Sequence, residues 1–122
     1  MARVKLTVKE ATNRNVFAKD EAFSTITTAV DAADGAEFVM DERDDKYLIL
    51  VQNSASSAKE VTVKAGNGIQ GVNDLTYSVA ASSFTFVQID SGRFKNVSGA
   101  DKGKVIIMGA SADIKVAVFR LP

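Results

Sequence analysis

The sequence predicts an all-β fold: a compact antiparallel β-sandwich of Ig-like or jelly-roll-like type, with little or no helix, spanning residues 1–122 as a single domain. Three observations predict it. Apolar residues recur at period two through most of the chain, the runs are short, and they are separated by turn dipeptides. The sole proline, Pro122, is terminal, so no proline-rich linker divides the 122 residues.

The elements follow in order. In "RVKLTVK" Val4, Leu6 and Val8 share one face and Arg3, Lys5, Thr7 and Lys9 the other, as in a half-buried strand. Residues 18–30, "AKDEAFSTITTAV", open with helix-favouring residues and close with strand-favouring Thr and Ile, so both readings stay open. "KYLILVQN" carries a continuous apolar run from Tyr47 to Val51, which predicts a central strand covered on both sides, and "KVIIMG" has the same character. "KEVTVKA" and "LTYSVA" alternate. "SFTFVQID" places Phe84 and Phe86 on one face and Val87 and Ile89 on the other, a switch that a bulge would also explain. "DIKVAVFRLP" puts Ile114, Val116 and Val118 on one face and Ala117, Phe119 and Leu121 opposite. That strand is either buried on both sides or offers an apolar stripe to a partner. Asp34-Gly35, Asn67-Gly68, Ser91-Gly92 and Ser98-Gly99 mark turns between these runs.

Composition excludes several chemistries. The chain has no Cys and no His, which removes thiol nucleophiles, zinc–thiolate sites, Ser-His-Asp triads and most transition-metal sites. An enzyme built on this chain would have to work with Asp, Glu, Lys or Ser alone. Fifteen Lys plus Arg balance fifteen Asp plus Glu, which argues against a general polyanion binder while leaving room for a small local patch. "MARVKLTVKE" is not followed by an apolar run and is not a signal peptide, and no stretch is long enough to span a bilayer. The expectation is a soluble protein with no cofactor, no metal, no nucleic acid and no membrane.

Two motifs invite a sharper reading. "KAGNGIQGVNDL" holds Gly66, Gly68 and Gly71 at the G-x-G-x-x-G spacing of dinucleotide-binding turns. That fingerprint must open a helix, whereas the residues after Gly71 read as strands. The glycines are therefore expected to serve a loop, giving positive φ at consecutive positions. "MDERDDKY" gathers Asp41, Glu42, Asp44 and Asp45, but Arg43 and Lys46 interrupt them and the spacing is not that of a calcium loop. A solvated loop before a buried strand is the expectation.

From "DGAEFVM" onward the text resembles a family of small tailed-bacteriophage proteins encoded beside the major capsid protein. The phrases that carry the likeness are "KAGNGIQGVNDL", "SGRFKN" and "DIKVAVFRLP", and it covers about the last three quarters of the chain. The resemblance implies a capsid decoration (auxiliary head) protein: a β-sandwich that binds the major capsid protein on the exterior of the assembled virion. It further implies synthesis in the host cytoplasm and stabilisation of the expanded shell. It brings no residue-level binding motif. The candidate partner-binding residues therefore come from the chain's own pattern: Asn67 and Gly68 in the glycine loop, Arg93 and Phe94 in "SGRFKNVSGADKGK", and Phe119 and Leu121 on the second face of the last strand. An apolar second face would serve self-association or the shell equally. The alternative function is an adhesive module binding host-surface glycan or protein.

Overall fold

The computed structural model describes residues 3–10 and 27–121, and these form a β-sandwich of two mixed sheets. The strands are β1 (Val4–Lys5), β2 (Val8–Glu10), β3 (Thr28–Ala29), β4 (Ala36–Val39), β5 (Tyr47–Asn53), β6 (Lys59–Val63), β7 (Leu75–Val79), β8 (Ser83–Val87), β9 (Lys104–Gly109) and β10 (Ile114–Arg120). The first sheet runs β1-β4-β9-β6-β7. The second runs β2-β10-β5-β8, with β3 sharing the edge of β10 beside β2. A 3-10 turn, Asp44–Lys46, precedes β5, and a one-turn helix α1, Ser91–Phe94, follows β8.

Most pairings are antiparallel, as the sequence predicts; β1 with β4 and β2 with β10 are parallel. The "RVKLTVK" run is the reason. Its alternation is as expected, with Val4, Leu6 and Val8 all packed against the core. It is not one strand, however. Leu6 N–H donates to the Glu37 carbonyl at 2.8 Å in the first sheet, and past Thr7 the chain pairs with Val118 in the second. The run thus splits into β1 and β2, one at the edge of each sheet.

The core between the sheets is filled by the inward residues of both, among them Phe38, Ile49, Val61, Ile107, Ile114 and Val116, each worth roughly 1.5–3 kcal/mol of apolar burial. Phe38 and Tyr47 tilt against each other with ring centroids 5.9 Å apart. β5 and β10 are buried on both faces: besides the inward residues, Leu50, Ala117 and Phe119 form a second buried cluster on the outer side of their sheet, with Leu48 against it. β9 departs from expectation. Val105, Ile107 and Gly109 are buried, but Ile106 and Met108 are only half-buried, because they share the first sheet's outer face with Glu37. β8 needs no bulge. Ser83, Thr85, Val87 and Ile89 point inward in simple alternation, while Phe84 and Phe86 point out. Of residues 18–30, only 27–30 are described; Thr28 and Ala29 are strand, and the helical half of that reading lies outside the described residues.

The two ends of the sandwich differ. At one end the connections are tight: 31–35, 54–58, 80–82 and 110–113. Asn53, fully buried, fastens that end. Its Nδ2 donates to the carbonyls of Ser57 (2.9 Å) and Val79 (3.0 Å), and its Oδ1 accepts from Ala55 N–H at 2.9 Å. Gly35, at φ 78°, makes the 31–35 turn in a region that a side chain rarely adopts. The long connections 40–46, 64–74 and 88–103, with Leu121 past β10, gather at the opposite end.

Candidate functional site

The long-loop end is the candidate site, because a rigid scaffold holding long loops is where binding residues collect. Loop 64–74 is closed at its base by Asp74, which accepts Ala65 N–H at 2.6 Å and the Lys64 ammonium at 3.0 Å. The backbone bond and then the ammonium hold the Asp74 carboxyl below its usual range. The loop lies against 91–103. Gly66 N–H donates to the Arg93 carbonyl at 2.7 Å, Asn67 Nδ2 donates to the Ser98 carbonyl at 2.9 Å, and Val97 N–H donates to Asn67 Oδ1 at 2.7 Å.

The glycines of the G-x-G-x-x-G stretch serve close approach. None of Gly66, Gly68 and Gly71 has positive φ, which corrects the expectation drawn from the sequence. A Cβ on Gly66 would run into the Lys95 carbonyl, and one on Gly71 into the carbonyl of Gly66 itself. The chain then enters β7 at Leu75, so the helix that a dinucleotide turn requires is not there.

The second loop is equally fixed. Asp90 caps α1 by accepting Arg93 N–H at 3.1 Å, and Asp44 accepts Ser91 N–H at 2.9 Å, tying α1 to the 3-10 turn. Three of the four carboxylates of "MDERDDKY" have partners within the protein. Asp41 accepts the Tyr47 hydroxyl at 2.8 Å and faces Arg120, and Asp45 pairs with Arg43 at 3.3 Å. Among the described residues no group of three or more His, Cys, Asp or Glu is placed to hold a metal ion. No helix among them is long and apolar enough to cross a membrane.

The structure brings Asn67, Gly68, Arg93 and Phe94 to this one end. Asn67 is exposed and latches the loops. Gly68 abuts Val97, its virtual Cβ lying 3.6 Å from a Val97 methyl. Arg93 is exposed, its guanidinium 4.7 Å above the Phe94 ring. Phe94 itself is a core side chain, 2 % exposed, so it anchors the loop from within and offers no surface ring for a base to stack on. Phe119 is buried in the outer cluster of the second sheet, and half-buried Leu121 donates its N–H to the Lys46 carbonyl at 2.6 Å.

Three aliphatic side chains at this end, absent from the sequence-derived set, are the most conspicuous. Ile69 is fully exposed, Val72 is 75 % exposed and Val97 is 52 % exposed. Their signal in the sequence was branched residues inside turn-rich stretches, "GIQGV" and "NVSG", where polar residues are the rule. All three stand at the long-loop end on backbone held by hydrogen bonds, and exposed aliphatic side chains so placed suit docking on an apolar recess. A shallow depression of about 580 Å³ on the first sheet's outer face, lined in part by Arg3, Glu37 and Lys64, is different in kind. Glu37 there meets Arg3 Nε at 3.3 Å and, from beside the depression, Lys104 Nζ at 2.9 Å.

Comparison with protein-family models, with curated proteins and with solved structures gave no match.

Proposed function

We propose that this protein is a non-enzymatic structural component of a tailed-phage virion that binds the outer surface of the assembled capsid and stabilises the expanded shell. The observation that carries the docking part is the exposure of Ile69, Val72 and Val97 on latched loops. Because those loops are already fixed, little ordering entropy is lost when they seat. The sequence resemblance from Asp34 onward supports the identity of the partner. Both tyrosines turn away from the surface: Tyr47 is buried and Tyr77 half-buried, which disfavours a sugar platform built on them.

The mechanism is linkage. A protein that binds the expanded lattice and not the procapsid draws the equilibrium toward expansion. At a free concentration about a hundredfold above Kd, each occupied site adds roughly 2.7 kcal/mol, multiplied over the many sites of a shell.

Co-sedimentation with procapsids and with expanded capsids lacking the protein tests this reading. Saturable binding to expanded shells alone is the expected result, and a double variant Ile69→Ser, Val72→Ser keeps the fold and loses that binding. Binding to neither shell defeats the proposal, and retention on host-surface glycan would then favour the adhesive module.

A further inference from the structure

We infer that Asn67 is a modification site: its side-chain amide cyclises onto the nitrogen of Gly68 and deamidates in the folded protein, releasing the latch between the two loops. The inference is independent of what the loop end binds.

Asn67-Gly68 is the only Asn-Gly pair among the six asparagines of the chain. The chemistry favours that pair. Glycine has no Cβ to obstruct the attack of its nitrogen on the preceding side chain, and its backbone reaches conformations that other residues rarely adopt. The other described asparagines are followed by Ser54, Asp74 and Val97. Asn53 is also fully buried, its amide held by the carbonyls of Ser57 and Val79. Val97 is β-branched, which crowds the approach to Asn96.

The structure leaves the reacting atoms available. Asn67 is exposed, and Gly68 N–H makes no hydrogen bond among the described residues. No partner has to approach, because the nucleophile is the next residue's own nitrogen and the co-reactant is water. Val97 N–H, 2.7 Å from Asn67 Oδ1, faces the oxygen on which negative charge collects as the tetrahedral carbon forms. The bond from Nδ2 to the Ser98 carbonyl at 2.9 Å is exposed to solvent, where a hydrogen bond adds little net stability and opens readily.

The step balances without an oxidant. Gly68 N–H gives its proton to hydroxide, and the nitrogen bonds to Asn67 Cγ. The Cγ–Nδ2 bond breaks, Nδ2 takes up a proton from water and leaves as ammonia, and a succinimide ring remains. Water opens the ring at either carbonyl. Opening at Cγ yields aspartate; opening at the main-chain carbon yields an isoaspartyl link that carries the backbone through Cβ and Cγ. Either product lacks Nδ2, so the donor to the Ser98 carbonyl is gone and the latch cannot close again. The isoaspartyl product also lengthens the main chain between Gly66 and Gly71, which are packed against backbone.

Incubation of the whole protein, folded and at mildly alkaline pH, tests this by ion exchange and peptide mapping. A more acidic species should accumulate, with aspartate and isoaspartate at position 67 ahead of every other asparagine. Its urea midpoint should fall below that of the starting protein. Gly68→Ala, whose methyl meets its neighbours at ordinary contact distance, keeps the fold and should lose that species over the same interval. Position 67 that stays intact in the folded protein yet converts in urea overturns the inference, because the fold then blocks ring closure. So does conversion that begins at another asparagine, a Gly68→Ala variant that converts as fast as the wild type, or a converted protein with an unchanged urea midpoint.

Discussion

Val97 donates its backbone N–H to Asn67 Oδ1 at 2.7 Å, and the same side chain returns a bond from Nδ2 to the Ser98 carbonyl at 2.9 Å. One amide thus joins two loops about thirty residues apart, using a donor and an acceptor that only Asn supplies at this reach. Asn67→Asp keeps the acceptor and turns a carboxylate oxygen toward the Ser98 carbonyl. The expected loss is about 1 kcal/mol in unfolding free energy. On the proposed function, capsid binding should fall by about tenfold, equivalent to 1.4 kcal/mol, because Val97 is no longer held to the glycine loop. Urea denaturation beside co-sedimentation reads both, and unchanged binding would show that the latch does not serve the docking end.

Gly66 is where the glycine loop is most tightly seated. A methyl group there would press on the Lys95 carbonyl, a backbone atom that cannot rotate away. Gly66→Ala should destabilise by about 1–3 kcal/mol, the range for overpacking. Gly68→Ala meets the Val97 methyls and the Gly92 carbonyl at ordinary contact distance and should be close to neutral. A reversal of that order in thermal unfolding would contradict the loop packing.

The contrast between these glycines shows where sequence reading stopped. Periodicity is a local property, so the paired faces of β5 and β10 were legible from "KYLILVQN" and "DIKVAVFRLP". The turn at Gly35 was legible from its dipeptide. A close approach is not local. Nothing in "KAGNG" reveals that Lys95 lies across from Gly66, so positive φ was the available explanation. For the same reason the split of "RVKLTVK" between sheets was hidden, since only the Leu6 bond to Glu37 and the Val8 register with Val118 disclose it. Phe94 was read as surface because charged neighbours surround it. Capping of α1 by Asp90 turns the ring inward while Arg93 stays out.

Glu37 is a charge on the first sheet with 8 % of its side chain exposed, set between Arg3 and Lys104. Removing one member of such a group leaves the others imperfectly paired in a poorly solvated site. The two cations are about a quarter exposed, which lets water offset part of the loss. Glu37→Gln should therefore cost about 1–3 kcal/mol, below the 3–5 kcal/mol of a fully buried pair. β1, which Arg3 precedes, should loosen first, with the Arg3 bond to Asp101 at 2.7 Å retaining part of the hold. Faster amide exchange at Val4 and Leu6 in the variant checks this, and unchanged exchange would disconnect the ion group from the sheet edge.

The two tyrosines should respond in opposite ways to the loss of a hydroxyl. Tyr47 O accepts the N–H groups of Asp41 and Glu42 at 3.0 and 3.1 Å and donates to Asp41 Oδ1. Tyr47→Phe strands two donors and should cost about 1–3 kcal/mol near neutral pH. The Tyr77 hydroxyl is buried with no hydrogen-bond partner among the described residues, so Tyr77→Phe should be neutral or stabilising by up to about 1 kcal/mol. Burial also pushes the Tyr77 phenol up from 10.0 to about 12. The folded state then holds that proton more tightly than the unfolded chain does. Its contribution is fully present below pH 10 and is lost as pH rises from 10 to about 12. Burial, then the bond to Asp41, raises Tyr47 in the same direction. Urea midpoints at neutral pH and above pH 10 should show the wild type weakening with alkali and Tyr77→Phe weakening less. Equal alkaline loss in both would place the sensitivity elsewhere than the buried phenol.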